Sequence, residues 1–485
     1  MKITLAELKE HKLDWDGTII PELKKIVGED NVLNHEIDLY IYSRDASIDT
    51  GMPAAVAFAH NTEEVSAIVK LANKYEFSLI PRGAGSNVCG GVIPAKGDCL
   101  ILVLARMNKV VDLDLENFLI TVEPGMVCLD LNNYLEPHGF YFVPDPASDK
   151  TATIGGMVNN NSGGIRAVKY GVTEQWVMGL EVVLADGTVI NIGNKAIKYV
   201  CGYDLVSLFV GSEGTLGIIT KAMLKMQPLP EIRLVASGYF DTAFAASKCV
   251  REIIRRSFDP SGTEIMDYKT LKAVEEYSGK VKFPECGAVV LVELDGNRDD
   301  VEMRLDRLEL VFKEMGAIQT EVARDAKTCE QVWAARKAAF PALTLRRPTA
   351  RMEDVSVPLE NLPIMFQKID EVSEKNGIEI ATFGHAGDGN LHPILLWDER
   401  DPDQHRRALQ TLIDLWHAAV DLEGTVTGEH GIGVSKLMMM PVEHEAAVLE
   451  LTKKIKQAFD PKNILCPGHI IPIPGQRINI LEDAS

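Results

Sequence analysis

The sequence predicts an α+β protein of more than one globular unit, and three features predict it. The first half opens as strand, helix, strand and continues in short β-rich runs at close spacing. In the second half helical periods alternate with strand-like runs, the pattern of an antiparallel sheet covered by helices. Between them, Gln227-Pro228-Leu229-Pro230-Glu231-Ile232-Arg233 sets two prolines and a change of charge where a boundary is expected. The 485 residues leave room for roughly three units of ordinary size.

Taken in order, LAELKEHKLDW and PELKKIVG predict an N-terminal helical segment within 1–45. AAVAFAH at 54–60 reads as a strand. TEEVSAIVKLANKYEF then spaces its apolar residues as a helix does, behind a cap at Thr62, and Ser78-Leu79-Ile80 returns as a strand. CLILVLA, VVDLDLENFLITVEPG and LEVVLADGTVINIG, the last with an Asp-Gly hairpin turn, complete a unit over 46–228. Within 229–435, TAFAASKCVREIIRRSF and RDDVEMRLDRLELVFKEMG are helical, and CGAVVLVELDG and DVSVPL strand-like. In 436–485, EHEAAVLELTKKIKQAF predicts a helix stopped at Asp460-Pro461-Lys462-Asn463, and the Pro-rich end is expected to be loosely held.

Seventy acidic against fifty basic residues give a formal charge of −20, which repels phosphate backbones and argues against a nucleic-acid partner. No window is apolar for long enough to form a membrane-spanning helix, and charges interleave the N-terminus where a signal peptide would be apolar. The expectation is a cytoplasmic protein, at most peripheral to a membrane through a partner. Eight scattered cysteines contain no C-x-x-C pair, so buried free thiols are expected. Any redox group must then be an organic cofactor or a metal held by other side chains.

The strand ending at Ile80 runs into Pro81-Arg82-Gly83-Ala84-Gly85-Ser86-Asn87-Val88-Cys89-Gly90-Gly91. Glycine there would let backbone N–H groups approach phosphate oxygens, although an ordinary tight turn is an equal reading of this loop alone. The nicotinamide pattern G-x-G-x-x-G fails at Val88, and no Gly-Lys-Ser/Thr follows to make a nucleotide-triphosphate loop. Three more small-residue loops occur, at Pro144-Asp145-Pro146-Ala147-Ser148, from Thr153 to Gly164, and from Gly211 to Ile219. Four in one half-chain suggest an extended ligand such as a dinucleotide diphosphate, held by many amides and few charges.

PRGAG, PDP, TIGG…NSGG-x-RAVKYG and GSEGTLGIIT together resemble the PCMH-type FAD-binding domain of the vanillyl-alcohol oxidase flavoproteins. The resemblance implies FAD held by Arg82, Gly83, Ala84, Gly85, Ser86, Asn87, Pro144, Asp145, Thr153, Gly155, Gly156, Gly163, Gly164, Glu213 and Ile219. Some members attach flavin through a His in or near the first loop. This loop has none, so non-covalent FAD is expected.

Three of eleven histidines fall in two glycine-bracketed segments, Phe383-Gly384-His385-Ala386-Gly387-Asp388-Gly389-Asn390-Leu391-His392-Pro393 and Gly428-Glu429-His430-Gly431-Ile432-Gly433. The remaining eight, His11, His35, His60, His138, His405, His417, His444 and His469, read as surface or satisfied core residues. Two imidazoles and a carboxylate form a divalent-metal set with open positions, which His385, His392 and Glu429 could supply; a metal-free hydrogen-bonded cluster is the alternative. His430 would then be free to act as a base near neutral pH.

Over roughly 45–470 the chain resembles the FAD-linked 2-hydroxy-acid dehydrogenases, a family that includes glycolate oxidase flavoprotein subunits, D-lactate dehydrogenases and D-2-hydroxyglutarate dehydrogenases. Trp333-Ala334-Ala335-Arg336-Lys337-Ala338-Ala339-Phe340-Pro341 is most similar to the glycolate and lactate branch. There an Arg matching Arg336 holds the substrate carboxylate; from sequence alone a surface helix charge is as good a reading. Two departures stand out: Leu465-Cys466-Pro467 where the family reads Leu-Asn-Pro, and Met352-Glu353 ahead of Asp354 where the family has a basic residue, with only Arg351 nearby.

The implied reaction is oxidation of D-lactate or glycolate to the 2-oxo acid, with hydride passing to flavin N5. Zinc, iron or manganese would bind the substrate oxygens, Arg336 and Asn390 would orient it, and His430 would take the hydroxyl proton. Electrons would leave to an electron-transfer flavoprotein, an iron–sulfur subunit or a quinone-linked complex, within an oligomer or heteromeric assembly. The alternatives are an electron-relay subunit reduced by a partner, a D-2-hydroxyglutarate dehydrogenase, and a non-redox FAD enzyme such as the ether-lipid synthases.

Overall fold

The computed structural model describes residues 13–476, 478 and 480. LAELKEHKLDW lies almost wholly outside them, as does His11; PELKKIVG forms the helix Ile20–Val27, with Pro21 in its first turn and Gly28 closing it at φ +94°. Ala55–Phe58, Thr62–Tyr75 and Ser78–Arg82 are the predicted strand, helix and strand. Cys99–Val103 lies between the two strands, parallel to both, and Val32–Leu33 adds an antiparallel edge. The cap differs from expectation: Asn61 caps the helix, accepting from Glu64 N at 2.9 Å, because the Thr62 hydroxyl is committed to Glu181 at 2.7 Å.

Val110–Asp114, Leu119–Val122, Ile218–Lys225, Val177–Val183 and Val189–Gly193 form, in that order, an antiparallel sheet. Asp186-Gly187 turns the final hairpin, with Gly187 at φ +83° where a side chain would be strained. The loop from Gly83 leaves the strand Ser78–Arg82 and the one from Gly211 enters the strand Ile218–Lys225, whereas the stretch from Thr153, read as a loop, forms the helix Ile154–Asn160 capped by Thr153.

Beyond Gln227–Pro228 an eight-stranded sheet follows, antiparallel throughout. Its path is Gln319–Ala323, Ile232–Phe240, Ala288–Gly296, Gly262–Asp267, Glu379–His385, Asn390–Trp397 and Thr349–Met352, with Val355–Ser356 paired beside Asn390–Trp397. Strand alternation divides its side chains. Leu391, Leu395 and Trp397 pack with the helices Ala243–Arg255, Arg298–Glu314, Leu362–Asn376 and Pro402–Asp421. Phe383, Ile394 and Leu396 face Tyr268–Ser278 and Ala339–Thr344. Each fully buried Leu or Val stabilises the fold by about 1.5–3 kcal/mol, and the sheet is buried on both faces.

The helix Ala446–Phe459 then carries Lys456 back to the first half, where its Nζ donates to Thr215 O at 2.8 Å and Leu465 O at 2.7 Å. Residues 464–469, expected to be loosely held with the rest of the Pro-rich end, are packed in place. Leu465 bridges to Leu79, and buried His469 sets Nε2 2.8 Å from Ile93 O, because the stop at Asp460 directs Ile464–Cys466 against the strand Ser78–Arg82. All eight cysteines are free, seven of them buried and Cys201 exposed. No helix among the described residues is long and apolar enough to cross a membrane.

Candidate active site

A cavity of about 810 Å³ lies where the glycine loops of the first half meet the large sheet of the second. Twelve of the fifteen residues proposed for the cofactor line it; Pro144, Gly163 and Gly164 do not. The last two are spacers. A Cβ on Gly163 would stand 2.7 Å from Glu429 Oε2, and one on Gly164 would stand 2.5 Å from Asp145 O. Pro144 turns its carbonyl to the thiol of Cys128, 3.5 Å away.

The first loop is built to receive an anion. Gly83 to Val88 all line the cavity, and among the described residues no protein acceptor receives their backbone N–H groups. A side chain at Gly83 would collide with Thr153 Oγ1 at 2.1 Å, so only glycine keeps the loop open against its neighbour. Arg82 braces the loop from beneath: its Nη1 donates to Arg44 O at 2.8 Å and its guanidinium lies over Tyr42. Asn87 folds the loop through Oδ1, which accepts from Cys89 N at 2.8 Å and Gly91 N at 2.9 Å. An elongated diphosphate such as that of FAD fits this cradle.

At the far end, period-two alternation sets His385 and His392 on one face of adjacent strands, with Phe383 opposite His392. Their rings meet edge to face at 5.1 Å, and His430 stacks on His392 at 5.2 Å. Glu429 Oε1 stands 3.4 Å from Nε2 of both His385 and His392. Two donor atoms each about 2.1 Å from one tetrahedral ion are about 3.4 Å apart, so this donor set fits a single divalent cation. His385 Nδ1 lies 2.6 Å from Glu264 Oε1, the carboxylate–imidazole arrangement that orients metal ligands. Burial disfavours a charged His385, but Glu264 and Glu429 outweigh it and hold the imidazole well above its ordinary value. Glu429 is held well below the carboxylate range, the two imidazoles overcoming burial.

His430 is largely buried, and burial lowers its pKa against the pull of Asp354 and Glu429, so it is a neutral base near neutrality. Its Nδ1 lies 3.9 Å from Asp354 Oδ2 and its Nε2 lies 3.7 Å from Glu429 Oε1. Arg336 lies in the cavity wall over the ring of Phe383, with Nε 2.7 Å and Nη2 2.6 Å from Glu264 Oε2. Nη1 has no protein acceptor among the described residues. Asn390 does not line the cavity. It sits behind the imidazoles, donating Nδ2 to Asp354 Oδ1 at 2.6 Å, because it faces His385 at the end of the strand where Asp354 is buried.

Sequence reasoning passed over two acids that organise the site. Asp354 accepts from Glu429 N and His430 N, each at 2.9 Å, and from Thr427 Oγ1 at 2.8 Å. Glu264 joins His385 to Arg336. The available signal was Glu264 set beside Ile265 and Met266 within the strand Gly262–Asp267, since burying a charge there requires partners.

Residues 229–470 match the family described as FAD linked oxidases, C-terminal domain, and residues 53–193 match the FAD binding domain. Glycolate oxidase subunit GlcD of Bacillus subtilis (strain 168) is 39% identical over 449 residues, covering 92% of this chain and 95% of that protein. The chain belongs to the FAD-linked oxidase family. D-lactate dehydrogenase of Archaeoglobus fulgidus is 35% identical, with 85% of this chain and 90% of that one covered. Among solved structures, p-cresol methylhydroxylase with substrate bound superposes with a TM-score of 0.79 at 19% identity, covering 93% of this chain and 96% of that one. The 4-ethylphenol oxidase of Gulosibacter chungangensis does so at 0.77 and 21%, covering 93% and 97%. These last two show the fold, which is the PCMH-type fold expected. Like other FAD-linked oxidases, this chain is a FAD-binding oxidoreductase.

Proposed function

We propose that the chain oxidises a small 2-hydroxy acid, D-lactate or glycolate, to the 2-oxo acid. The observation that carries this reading is the convergence of His385, His392, Glu429 and His430 on the cavity that the glycine loop lines. Bound FAD supplies a two-electron hydride acceptor, and zinc, iron or manganese held by His385, His392 and Glu429 supplies a Lewis acid. Arg336 holds the substrate carboxylate through Nη1 while Glu264 fixes the guanidinium from behind. His430 Nε2 receives the hydroxyl proton, and its stacking on His392 keeps the ring in place. Trp333, Phe340, Met352 and Phe383 close the substrate end with apolar surface and keep water from the reacting carbon. Asn390, given its place behind Asp354, supports the site instead of touching substrate.

With no His in the first loop, the FAD is held without a covalent bond. The chain divides into an N-terminal segment 1–45, a flavin unit 46–228, a cap unit 229–435 and a returning helix with tail 436–485. Electrons pass to an electron-transfer flavoprotein, an iron–sulfur subunit or a quinone-linked complex, and the protein works in the cytoplasm, reaching a membrane only through that partner. The test is anaerobic mixing of the flavin-loaded protein with D- and L-2-hydroxy acids, with and without chelator. Bleaching of the flavin absorbance by D-lactate or glycolate, suppressed by chelator, is expected. Flavin that dithionite reduces but no 2-hydroxy acid does would replace this reading with the electron-relay one.

A further inference from the structure

Glu213 occupies an unusual position. It is a buried acid in the left-handed region, φ +51°, between Gly211 at +75° and Gly214 at +73°. A non-glycine residue persists there only where its surroundings demand it. Among the described residues no cation lies within ion-pair distance of its carboxylate. Both oxygens instead receive backbone amides from the other half of the chain, Oε1 from Ile432 N and Oε2 from Gly433 N, each at 2.7 Å. Neighbouring flavin-unit residues hold the same loop one step earlier: the His430 carbonyl accepts from Asn160 Nδ2 at 2.8 Å, Cys89 Sγ at 3.0 Å and Asn87 Nδ2 at 3.3 Å. Glu429 and His430 are therefore fixed between Asp354 on the cap side and this set on the flavin side. Gly431 makes the fit close, since a Cβ there would stand 2.8 Å from Glu213 Oε1.

We propose that Glu213 is a positioning residue for the loop 428–433, setting Glu429 and His430 against the cavity through the Ile432 and Gly433 amides, and is not a ligand of the flavin. The carboxylate accepts one hydrogen bond from the loop on each oxygen, and as an anion it is a poor neighbour for a diphosphate of the same sign. The strained backbone at Glu213 is what aims the side chain across the boundary between the two halves. The proposal rests on the reading of Glu429 and His430 as site residues.

The test compares flavin-loaded parent, E213Q and E213D protein by hydrogen exchange of the peptide 427–437 and by the FAD dissociation constant. E213Q replaces one acceptor with a donor, and E213D keeps the charge but withdraws it from the Ile432 and Gly433 amides by one methylene. Exchange of the peptide should quicken by about fivefold or more while the FAD constant moves by less than about threefold. Unchanged exchange would overturn the proposal, and so would an FAD constant raised by about tenfold, the mark of a lost flavin ligand. If E213Q yields no folded holoprotein, E213D decides by the same two measurements. Titration of the parent with Co²⁺ alone keeps the metal reading separate: failure to bind Co²⁺ removes that reading and leaves the exchange comparison standing.

Discussion

Glu264 stands 2.6 Å from His385 Nδ1 through one oxygen and 2.7 Å from Arg336 Nε through the other. One fully buried carboxylate thus sets both a proposed metal ligand and the proposed substrate clamp. Its own pKa is lowered because the charges of His385 and Arg336 outweigh the burial that would raise it. E264Q keeps the volume and removes the charge. Affinity for Co²⁺, followed by its visible absorbance, should fall on the order of 10–100-fold, and KM for the 2-hydroxy acid should rise with it. A variant with parental Co²⁺ affinity would detach Glu264 from the metal site.

His430 sits where burial depresses its pKa below the ordinary imidazole value of 6.5. A base must be neutral to accept a proton, and a lowered pKa extends the neutral form toward acid. Flavin bleaching should therefore rise with pH through an inflection on the acid side of 6.5 and be flat above neutrality. A cation at the neighbouring ligands moves the inflection the same way. H430N should slow bleaching by about 10²–10⁴-fold with FAD retained. Bleaching at the parental rate, or an inflection well above neutrality, would take His430 out of the proton transfer.

Met352 lines the cavity, whereas Arg351, one residue earlier on the same strand, turns to the other face, pairs with Glu353 at 2.7 Å and lies over Trp416. The apolar wall formed by Met352, Phe340 and Phe383 suits a monoacid with a small side chain. None of these three side chains offers a cation to a second carboxylate. M352K places one, and the kcat/KM ratio of D-2-hydroxyglutarate to D-lactate should rise by about tenfold, or ~1.4 kcal/mol. An unchanged ratio would show that Met352 does not face the substrate side chain.

The elements that can be read from the sequence are those with local causes. Helical spacing in TEEVSAIVKLANKYEF and the Asp186-Gly187 turn each follow from neighbouring residues, and each is present. Glycine-bracketed histidines were legible for the same reason, and His385, His392 and Glu429 do converge. Partners distant in the chain were not. Whether Asn390 faces the cavity or Asp354 depends on where residue 354 is buried, and Gly163 reads as a phosphate-loop glycine until Glu429 is found against it. Glu213 is the sharpest case, because the motif GSEGTLG points to the flavin while the carboxylate is used 219 and 220 residues further along.

The C-terminal segment gives a prediction independent of catalysis. His469 is 2% exposed, and burial pushes its pKa down from 6.5 to about 4, with Nε2 held against Ile93 O. The unfolded chain takes up a proton below 6.5 while the folded one does so only near 4, so this group's share of stability is complete above 6.5 and is lost as pH falls toward 4. The full difference is about 3 kcal/mol. H469Q keeps an N–H for Ile93 and does not titrate. Its Tm should lie slightly below the parent's at neutral pH, and it should fall less steeply as the solution is acidified. The parent should also lose the bridge between Leu79 and Leu465 first, seen as early exchange of the 464–473 amides. Parallel Tm curves for parent and variant across that range would mean that His469 is protonated in the fold without penalty.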